Sequence, residues 1–376
     1  MTRFAKQPDR NLKSLTGEAV GNALMDADLD VRQVEAVYFA NAVAGSITGQ
    51  EMVAGQVTLA PLGFKGLPIF NIENACASAS SALHLAWQAV ASGASDVALA
   101  VGAEKMTHPD KARSFAAIGG AVDVETVDNS AVTSRSPFMD VYAAEAREYM
   151  EESGASQHDL AAVVVKNQYH GSLNPLAQYG DPKLTVEQVL ADREIVWPLT
   201  LRMCSPISDG AAAAVVVSDR WLHDRARAVK VAASAVRANR DGGKVAELAS
   251  GRAYEMAGVG PEDVDLAELH DAAAGAELSL YEQLGFGGKG GGGVELIRSG
   301  ATRLGGRVPV NVSGGLLSRG HPVGATGLGQ VYELVLQLRG EAGKRQVDGA
   351  KLALAENGGG YLDGDNAVAA VTILTR

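Results

Sequence analysis

Short apolar runs alternate along the chain with longer segments of helical periodicity. The apolar runs that predict buried strands cover residues 97–101, 163–165, 215–217, 351–355 and 368–374. Runs this short, with so few polar residues, are typical of strands that are covered on both faces. The segments that predict helices cover residues 78–92, 143–153, 251–257 and 327–340. Strands that alternate with helices predict a layered α/β fold.

The pattern also repeats once within the chain. Residues 34–41 and residues 264–271 each form an apolar strand that follows a helix and an acidic turn. In each half a further helix then leads through a small-residue connection into another apolar strand. A duplicated α/β unit is the simplest interpretation, and chance similarity between α/β segments is the alternative. We therefore predict an N-terminal half over residues 1–225 and a C-terminal half over residues 226–376.

Two segments interrupt this order. Between about residues 109 and 206, polar stretches interrupt the alternation of apolar runs and helical segments. This predicts an inserted loop region that covers a site. Residues 287–293 consist of six glycines and Lys289. No Ser or Thr follows this lysine as it does in a phosphate-binding loop, so we interpret the segment as a flexible connection.

Composition narrows the classes of function. The 376 residues are 47% hydrophobic and 20% charged, which is ordinary for a globular protein. The formal net charge is −11 and no cluster of Lys and Arg stands out, which argues against nucleic-acid binding. The longest small-apolar stretch, residues 82–103, is interrupted by His84, Gln88 and Asp96, so no membrane span is predicted. With no targeting pattern in residues 1–12, we expect a cytoplasmic protein.

Cys76 is the first candidate for chemistry. It lies where a strand ending near residue 72 turns into a helix, among small neighbours that permit a tight turn and an accessible thiol. The free amides and the dipole of a helix N-terminus predict a stabilised thiolate with a lowered pKa, as at a nucleophile elbow. A buried structural cysteine is the alternative. We interpret Cys204, the other cysteine of the chain, as a packing residue.

His321 is the second candidate. It lies in a glycine-dense loop that leads into the predicted helix at residues 327–340, and Pro322 fixes the backbone beside it. A histidine on a rigid loop is well suited to take a proton from a thiol. A structural histidine with satisfied hydrogen bonds is the alternative.

Four motifs in sequence order resemble those of the thiolase superfamily, and the resemblance covers nearly the whole chain. They are Asn-Ala-Cys-Ala-Ser at 74–78, Gly-Ala-Glu-Lys-Met at 102–106, Ser-Asp-Gly-Ala-Ala-Ala at 208–213 and Gly-His-Pro-Val-Gly-Ala-Thr-Gly at 320–327. The Gly-His-Pro block is the specific one. His270-Asp271 stands where typical thiolases carry Asn-Glu, which is similar to the sterol-carrier-protein-type (lipid-transfer-protein-like) branch.

The resemblance implies two similar βαβαβαββ halves in a five-layer α/β/α/β/α arrangement. It implies an acyl-CoA substrate, acyl transfer that forms or cleaves a 3-ketoacyl-CoA, no metal, no cofactor besides the substrate's coenzyme A, and a homodimer or dimer of dimers. Cys76 would be the acylated nucleophile and His321 its activating base. His270 would help to polarise the second substrate. The N–H groups of Cys76 and Gly358 would form the oxyanion hole.

The sequence departs from the family pattern where the second catalytic thiol is expected. Typical thiolases have Cys-x-Gly after a late strand, where this chain has Glu356-Asn357-Gly358. Some sterol-carrier-type members place a cysteine two residues after the His of the His-Asp pair, and that residue here is Ala272. Glu356 would serve as the α-proton base if burial raises its pKa. Otherwise the acyl group goes to an acceptor that needs no α-deprotonation. A retro-aldol cleavage in lipid or steroid side-chain metabolism is a further alternative, against which Cys76 argues.

Other interpretations of the same motifs stay open. A thiolase-like subunit that needs a small partner with a zinc ribbon and an OB-fold would account for the missing second thiol. An acyl-carrier-protein-dependent condensing enzyme pairs its cysteine with two histidines, as Cys76, His270 and His321 would, although the Gly-His-Pro block fits the thiolases better. The family also opens on an apolar strand, and Met1-Thr2-Arg3-Phe4 begin just after its expected end, so either the true start lies further upstream or the first strand is lost.

Overall fold

The computed structural model describes residues 1–126, 135–240 and 243–376. Its strands are β1 (Ala36–Ala40), β2 (Ile69–Ile72), β3 (Val97–Glu104), β4 (Glu194–Val196), β5 (Leu199–Thr200), β6 (Gly210–Val217), β7 (Lys230–Ala238), β8 (Leu266–Glu268), β9 (Leu352–Gly359) and β10 (Val368–Thr375). Its helices are α1 (Leu12–Ala27), α2 (Ala44–Thr48), α3 (Ala54–Leu59), α4 (Ser78–Ala91), α5 (Lys111–Gly119), α6 (Phe138–Ser153), α7 (Gln157–Ser172), α8 (Val186–Leu190), α9 (Val245–Ala257), α10 (Ala274–Gln283), α11 (Gly292–Arg298), α12 (Gly315–Arg319) and α13 (Thr326–Arg339). None of the described helices has the length and hydropathy that crossing a bilayer requires.

Two four-stranded sheets repeat the same arrangement. The first has the order β2-β1-β3-β6 and the second has the order β7-β10-β9-β8. In the first, β1 pairs in parallel with β3, and β6 pairs antiparallel with β3. In the second, β8 pairs in parallel with β9, and β10 pairs antiparallel with β9. The predicted duplication of an α/β unit is confirmed.

The start of the chain occupies the place that β7 has in the second sheet. β7 lies along β10, and the first residues lie in the same way along β6. Thr2 N–H donates to Ala211 O at 2.8 Å, and Asp209 N–H donates to Ala5 O at 2.8 Å. Residues 2–5 thus form a short bridged segment at the place of the family's first strand.

Five layers result from the packing of helices on these sheets. Helix α1 covers the outer face of the first sheet, and α9 covers the outer face of the second. Helices α4 and α13 lie between the sheets and contact strands of both. The central layer buries Leu83 and Ala86 from α4 with Leu328 and Leu334 from α13. The active-site segments lie at the N-terminal ends of these two central helices.

Glycine permits those two N-terminal ends to approach each other. A Cβ atom at Gly327 would lie 2.0 Å from Ser80 Oγ, and one at Gly102 would lie 2.6 Å from Gly324 O. Real Cβ atoms do not come this close to other heavy atoms, so a side chain at Gly327 would push α13 away from α4, and one at Gly102 would push β3 away from the loop that precedes α13. The distance between the Cys76 turn and the His321 loop therefore depends on these glycines.

Residues 163–165 correct one sequence prediction. They lie inside α7 and do not form a strand. Val163 and Val164 are fully buried, together with Leu160 and Ala161. Because α7 is buried around most of its circumference, its apolar run lacks the polar gaps that mark a surface helix, and periodicity cannot separate it from a buried strand. The other predicted strands lie in β3, β6, β9 and β10, and the predicted helices lie in α4, α6, α9 and α13.

Candidate active site

Cys76 lies in a sharp turn between β2 and α4. It is the middle residue of a 3-10 turn (Ala75–Ala77), and Ala75 has a φ of 48°. A non-glycine residue in this left-handed region costs about 1–3 kcal/mol, so its surroundings must hold it. Ser78 Oγ does so by accepting from Asn74 N–H at 2.9 Å and donating to Ala75 O at 2.6 Å. Cys76 thus lies at the predicted strand-to-helix turn.

Strand β9 supports this turn from the other half of the protein. A Cβ atom at Gly359 would lie 2.3 Å from Asn74 O and 2.9 Å from Ala77 N. Only glycine permits this approach, and the glycine run after Glu356 is therefore a packing requirement. Gly358 lies in the same strand, and its part in an oxyanion hole stays a prediction.

His321 is held in one tautomer. Its backbone N–H donates to Ser208 Oγ at 3.1 Å, and its Nδ1 lies 2.7 Å from Thr326 Oγ1. The Thr326 hydroxyl donates its own proton to Pro322 O at 3.0 Å, so it accepts a proton from Nδ1–H. This hydrogen-bond network leaves Nε2 of the neutral ring unprotonated, which is the form that a general base requires.

Cys76, His270 and His321 converge. One ligand-type atom from each lies within 4.8 Å of the others. The two imidazole rings are 5.1 Å apart with an interplanar angle of 70°. The Nε2 of His270 is buried and has no hydrogen-bond partner among the described residues, so it is available to a bound molecule.

The same three residues bear on metal binding. Among the described parts of the chain they are the one group of His, Cys, Asp or Glu side chains that converges closely enough to hold a metal ion. One thiolate and two imidazoles with an open fourth position form a ligand set that zinc accepts. A catalytic centre made of cysteine and histidine uses the same residue types as such a metal site. That this protein holds no metal therefore stays a prediction.

Glu356 lies next to His270. It is fully buried in β9, and its Oε2 accepts the His270 N–H at 3.2 Å. Its Oε1 has no partner among the described residues. Burial raises the pKa of Glu356 to about 8. A carboxyl group with such a pKa exchanges protons readily near neutral pH, as the sequence interpretation required.

A cavity of about 830 Å³ opens onto Cys76 and His321. This volume is typical of small-molecule sites. Much of its wall comes from the region between residues 109 and 206, including the apolar side chains of Phe115, Ile118, Phe138, Met139 and Tyr142. Four cationic side chains of the same region also line it, namely Lys111, Arg135, Arg193 and Arg202.

Cys204 also lines this cavity. It pairs as a bridge with Ala273, while Ile207 pairs with His321, so the segment 204–207 connects the two histidine loops. The Cys204 thiol donates to Thr200 O at 3.6 Å, and the residue packs against the large core of the second sheet. Packing against the core agrees with the sequence interpretation, whereas contact with the cavity was not expected.

The pKa of Cys76 corrects another expectation. Burial, together with the nearby carboxylates of Glu104 and Glu73, raises the pKa of this thiol to about 12. Burial likewise lowers the pKa of His270 to about 4 and holds the pKa of His321 well below its usual range. The desolvation of the thiol therefore outweighs the helix N-terminus. The resting pair is therefore a neutral thiol beside a neutral imidazole.

Glu104 is a site residue that we missed in the sequence. It is fully buried at the end of β3. Its carboxylate accepts N–H bonds from Ala42 at 3.0 Å, Ala44 at 2.8 Å and Gly324 at 2.9 Å. It thereby ties the loop of His321 to the loop that follows β1. The sequence did offer a signal for Glu104, because it is the one charged residue at the end of an otherwise apolar strand. A buried carboxylate needs several hydrogen-bond donors around it.

Family comparisons agree with this geometry. The family described as "Thiolase, N-terminal domain" matches residues 1–186, and the family described as "Thiolase C-terminal domain-like" matches residues 228–376. This chain belongs to the thiolase family.

Relatives of this thiolase include proteins named as an acetyltransferase, a thiolase subunit and a sterol carrier protein. The acetyl-CoA acetyltransferase of Methanothermobacter thermautotrophicus is 39% identical over 100% of this chain and 97% of that protein. The benzoylsuccinyl-CoA thiolase subunit BbsB of Thauera aromatica is 39% identical over 84% of this chain and 81% of that subunit. Human sterol carrier protein 2 is 35% identical over 95% of this chain and 68% of that protein. The predicted acyltransferase class and the sterol-carrier-type resemblance are confirmed.

Solved structures confirm the fold. The Ltp2-ChsH2(DUF35) aldolase matches this thiolase with a TM-score of 0.80 at 24% identity, covering 100% of this chain and 95% of that one. Human mitochondrial 3-ketoacyl-CoA thiolase matches with a TM-score of 0.73 at 16% identity, covering 100% of this chain and 96% of that one. At these identities the likeness concerns the fold alone.

Proposed function

We propose that this thiolase transfers acyl groups from acyl-CoA through a thioester on Cys76, forming or cleaving a 3-ketoacyl-CoA. The observation that carries the proposal is the convergence of Cys76, His270 and His321 within 4.8 Å beside a cavity of about 830 Å³. A thiol with two neutral imidazoles has the nucleophile, the base and the carbonyl-binding group that acyl transfer needs.

In the first half-reaction the acyl group moves onto the enzyme. The Cys76 proton passes to Nε2 of His321 as the sulfur attacks the thioester carbonyl carbon. The N–H groups of Cys76 and Gly358 would bind the oxyanion. The carbon–sulfur bond to coenzyme A then breaks, and the leaving thiolate takes the proton back from His321. The products are acyl-Cys76 and free coenzyme A.

In the second half-reaction Glu356 takes the place of the missing second thiol. Its carboxylate removes the α-proton of a second acyl-CoA, whose carbonyl oxygen is bound at Nε2 of His270. The resulting carbanion attacks the acyl carbon, and Cys76 leaves as a thiolate that receives, through His321, the proton that Glu356 removed from the α-carbon. Cleavage is the reverse sequence, with protonated Glu356 as the acid. The buried, unpartnered Oε1 of Glu356 supports this role.

The cationic part of the cavity suits the phosphates of coenzyme A. Arg202 pairs with Asp192 at 2.7 Å and Arg135 pairs with Asp140. Lys111 and Arg193 form no ion pair within the described residues, so their charges are available to a ligand. We expect Arg193→Ala to raise KM for acyl-CoA with little change in kcat.

A direct assay tests the proposed activity. The purified chain is incubated with acetyl-CoA and separately with a 3-ketoacyl-CoA plus coenzyme A, and product thioesters are followed by chromatography. We expect cleavage or condensation that Cys76→Ala abolishes. Activity that survives in Cys76→Ala would contradict the proposal.

A second candidate is a subunit that acts only with a partner. The name of BbsB describes a thiolase subunit, and the name of the Ltp2-ChsH2(DUF35) aldolase joins Ltp2 to a DUF35 protein. These names favour a partner subunit for this thiolase. The family resemblance implies that the partner is a small zinc-ribbon and OB-fold protein, with acyl transfer or retro-aldol chemistry. Full activity of the isolated chain would exclude this candidate. A homodimer in the cytoplasm stays a prediction.

A further inference from the structure

A buried polar cluster lies behind the His270 loop. Its ionic centre is Lys166 with Glu277, both fully or almost fully buried. The Lys166 ammonium has three donors, and it donates to Glu277 Oε1, to Tyr281 OH at 3.0 Å and to Val310 O at 3.1 Å. A buried ammonium whose donors are all used is held in one place.

Asn167, the next residue of α7, joins this centre to the active site. Its Nδ2 donates to Glu277 Oε2 at 2.7 Å and to Asp271 Oδ2 at 2.8 Å. These two bonds use both protons of the amide nitrogen. Asn167 is therefore the link between the Lys166–Glu277 pair and the residue that follows His270.

The backbone on both sides of His270 is fixed as a result. Asp271 also accepts from Leu316 N–H at 2.6 Å, in the helix that precedes His321. On the other side, Asn311 Oδ1 accepts from Leu269 N–H at 2.8 Å, and Asn311 Nδ2 donates to Glu277 Oε2 at 2.7 Å. One carboxylate, Glu277, thus controls the segments before and after His270.

Neither these cluster residues nor His270 line the cavity, but the His270 ring lies 5.1 Å from that of His321, which does, so the effect of the cluster on chemistry passes through His270. The imidazole of His270 makes no hydrogen bond among the described residues, and its Nε2 is free for a ligand. A catalytic ring with no side-chain bond of its own depends on its backbone for position. The bonds at Leu269 and Asp271 supply that constraint.

We propose that Asn167 is a positioning residue for His270, fixing its distance from His321 through Asp271. The inference rests on the proposed function, in which His270 acts on the second substrate and takes no part in acylation of Cys76. Removing the Asn167 amide would leave Asp271 and Glu277 without their shared donor and let the loop move. A displacement of about 1 Å at a catalytic group lowers rates by about 100-fold.

Asn167→Leu tests this, because leucine nearly preserves the volume and removes the donor. Two rates are measured, namely exchange of labelled coenzyme A into acetyl-CoA, which needs only Cys76 and His321, and the complete condensation or cleavage reaction. We expect exchange within about threefold of the wild type and a loss of roughly 100-fold in the complete reaction. Adding Asn167→Leu to His270→Ala should cause no further loss.

Gln337→Leu is the matched control. Gln337 is also a buried amide that donates to a buried carboxylate, Glu333 Oε1 at 2.9 Å, but it lies near the far end of α13. We expect a similar loss of stability and no selective loss of the complete reaction. A parallel fall in exchange and complete reaction for Asn167→Leu would overturn the inference, as would an unchanged complete reaction.

A crystal structure of Asn167→Leu gives a readout that needs no activity. We expect the separation between the His270 and His321 rings, 5.1 Å in the wild type, to change while the Cys76 turn stays in place. An unchanged separation overturns the inference. A wild type that shows no coenzyme A exchange overturns the proposed function instead, and the crystallographic comparison still decides the role of Asn167.

Discussion

At the scale of single residues, Thr326 determines which nitrogen of His321 carries the proton. Thr326→Val keeps the shape but removes the acceptor for Nδ1–H, so Nε2 loses its fixed unprotonated state. We expect the rate of coenzyme A exchange to fall by about 10- to 100-fold. Thr326→Ser keeps the hydroxyl and should stay close to the wild type. Equal rates for the valine and serine variants would contradict this account of the tautomer.

The pH dependence of condensation reports on Glu356. Its pKa is raised by burial to about 8, and condensation requires the carboxylate. The log of kcat/KM for the second acyl-CoA should therefore rise with pH and level off near pH 8. Glu356→Gln should lose roughly 100-fold or more of the complete reaction at every pH while retaining coenzyme A exchange. A profile without this bend, or an active Gln variant, would argue for another base.

Glu356 also affects stability. Its pKa is about 8 in the folded protein against an ordinary value of 4.5, so the native state favours the protonated form. Its contribution to stability is present below pH 4.5 and is lost as the pH rises through 8. At pH 9 the free energy of unfolding of Glu356→Gln, measured by denaturant titration, should therefore exceed that of the wild type by a few kcal/mol. At pH 5 the two proteins should differ little.

Glu333→Gln is the comparison for that measurement. Glu333 is also buried, but it is paired with Arg345 at 2.8 Å. Loss of this charge leaves the Arg345 guanidinium unpaired and should destabilise the protein at pH 9. If Glu356→Gln behaved in the same way at that pH, the buried carboxyl group would have a stabilising partner that the described residues do not contain.

At the scale of elements, the approach of β9 to the Cys76 turn depends on Gly359. A methyl group there would lie 2.3 Å from Asn74 O, so Gly359→Ala must displace the turn. We expect a loss of about 1–3 kcal/mol in the free energy of unfolding and slower acylation of Cys76. Gly251→Ala, in α9 with no atom within 4 Å of the new Cβ, should instead leave activity unchanged and add up to about 1 kcal/mol.

Strands that are buried along their whole length could be predicted from the sequence. β3, β9 and β10 are buried along their length, and their apolar runs identified them. Helix α7 could not be predicted, because it is buried on most sides and its Val163–Val164 pair has strand propensity. The Cys76 turn was predictable from its small residues. The pKa of its thiol was not, since desolvation depends on walls that come from distant segments.

At the scale of the whole molecule, the site joins the two halves. Cys76 precedes α4 in the first half, and His321 precedes α13 at the equivalent place in the second. The motifs predicted Cys76, His321 and His270, because each stands in a local pattern. They include Glu104, in the motif at 102–106, without predicting its role, and they do not include Asn167. The partners of both residues lie far along the chain and are defined only once the halves have packed.

We expect the predicted homodimer to form through the free edge of the first sheet. β2 has no partner on its outer side among the described residues, and Phe70 in it is 48% exposed and stacked on Tyr38 at 5.3 Å. An exposed edge with aromatic side chains favours association. We expect Phe70→Lys to shift the sedimentation coefficient from dimer to monomer, and Met25→Lys on the surface of α1 to leave it unchanged. A wild-type monomer at micromolar concentration would contradict the prediction.

The central claim is that Cys76 carries the acyl group. The direct measurement is intact-protein and peptide mass spectrometry after the chain is incubated with acetyl-CoA and quenched in acid. We predict one acetyl thioester per chain, located on the peptide that contains Cys76, absent from Cys76→Ala and retained in Glu356→Gln and His270→Ala. No adduct on the wild type, or an adduct on Cys204 that persists in Cys76→Ala, would contradict it.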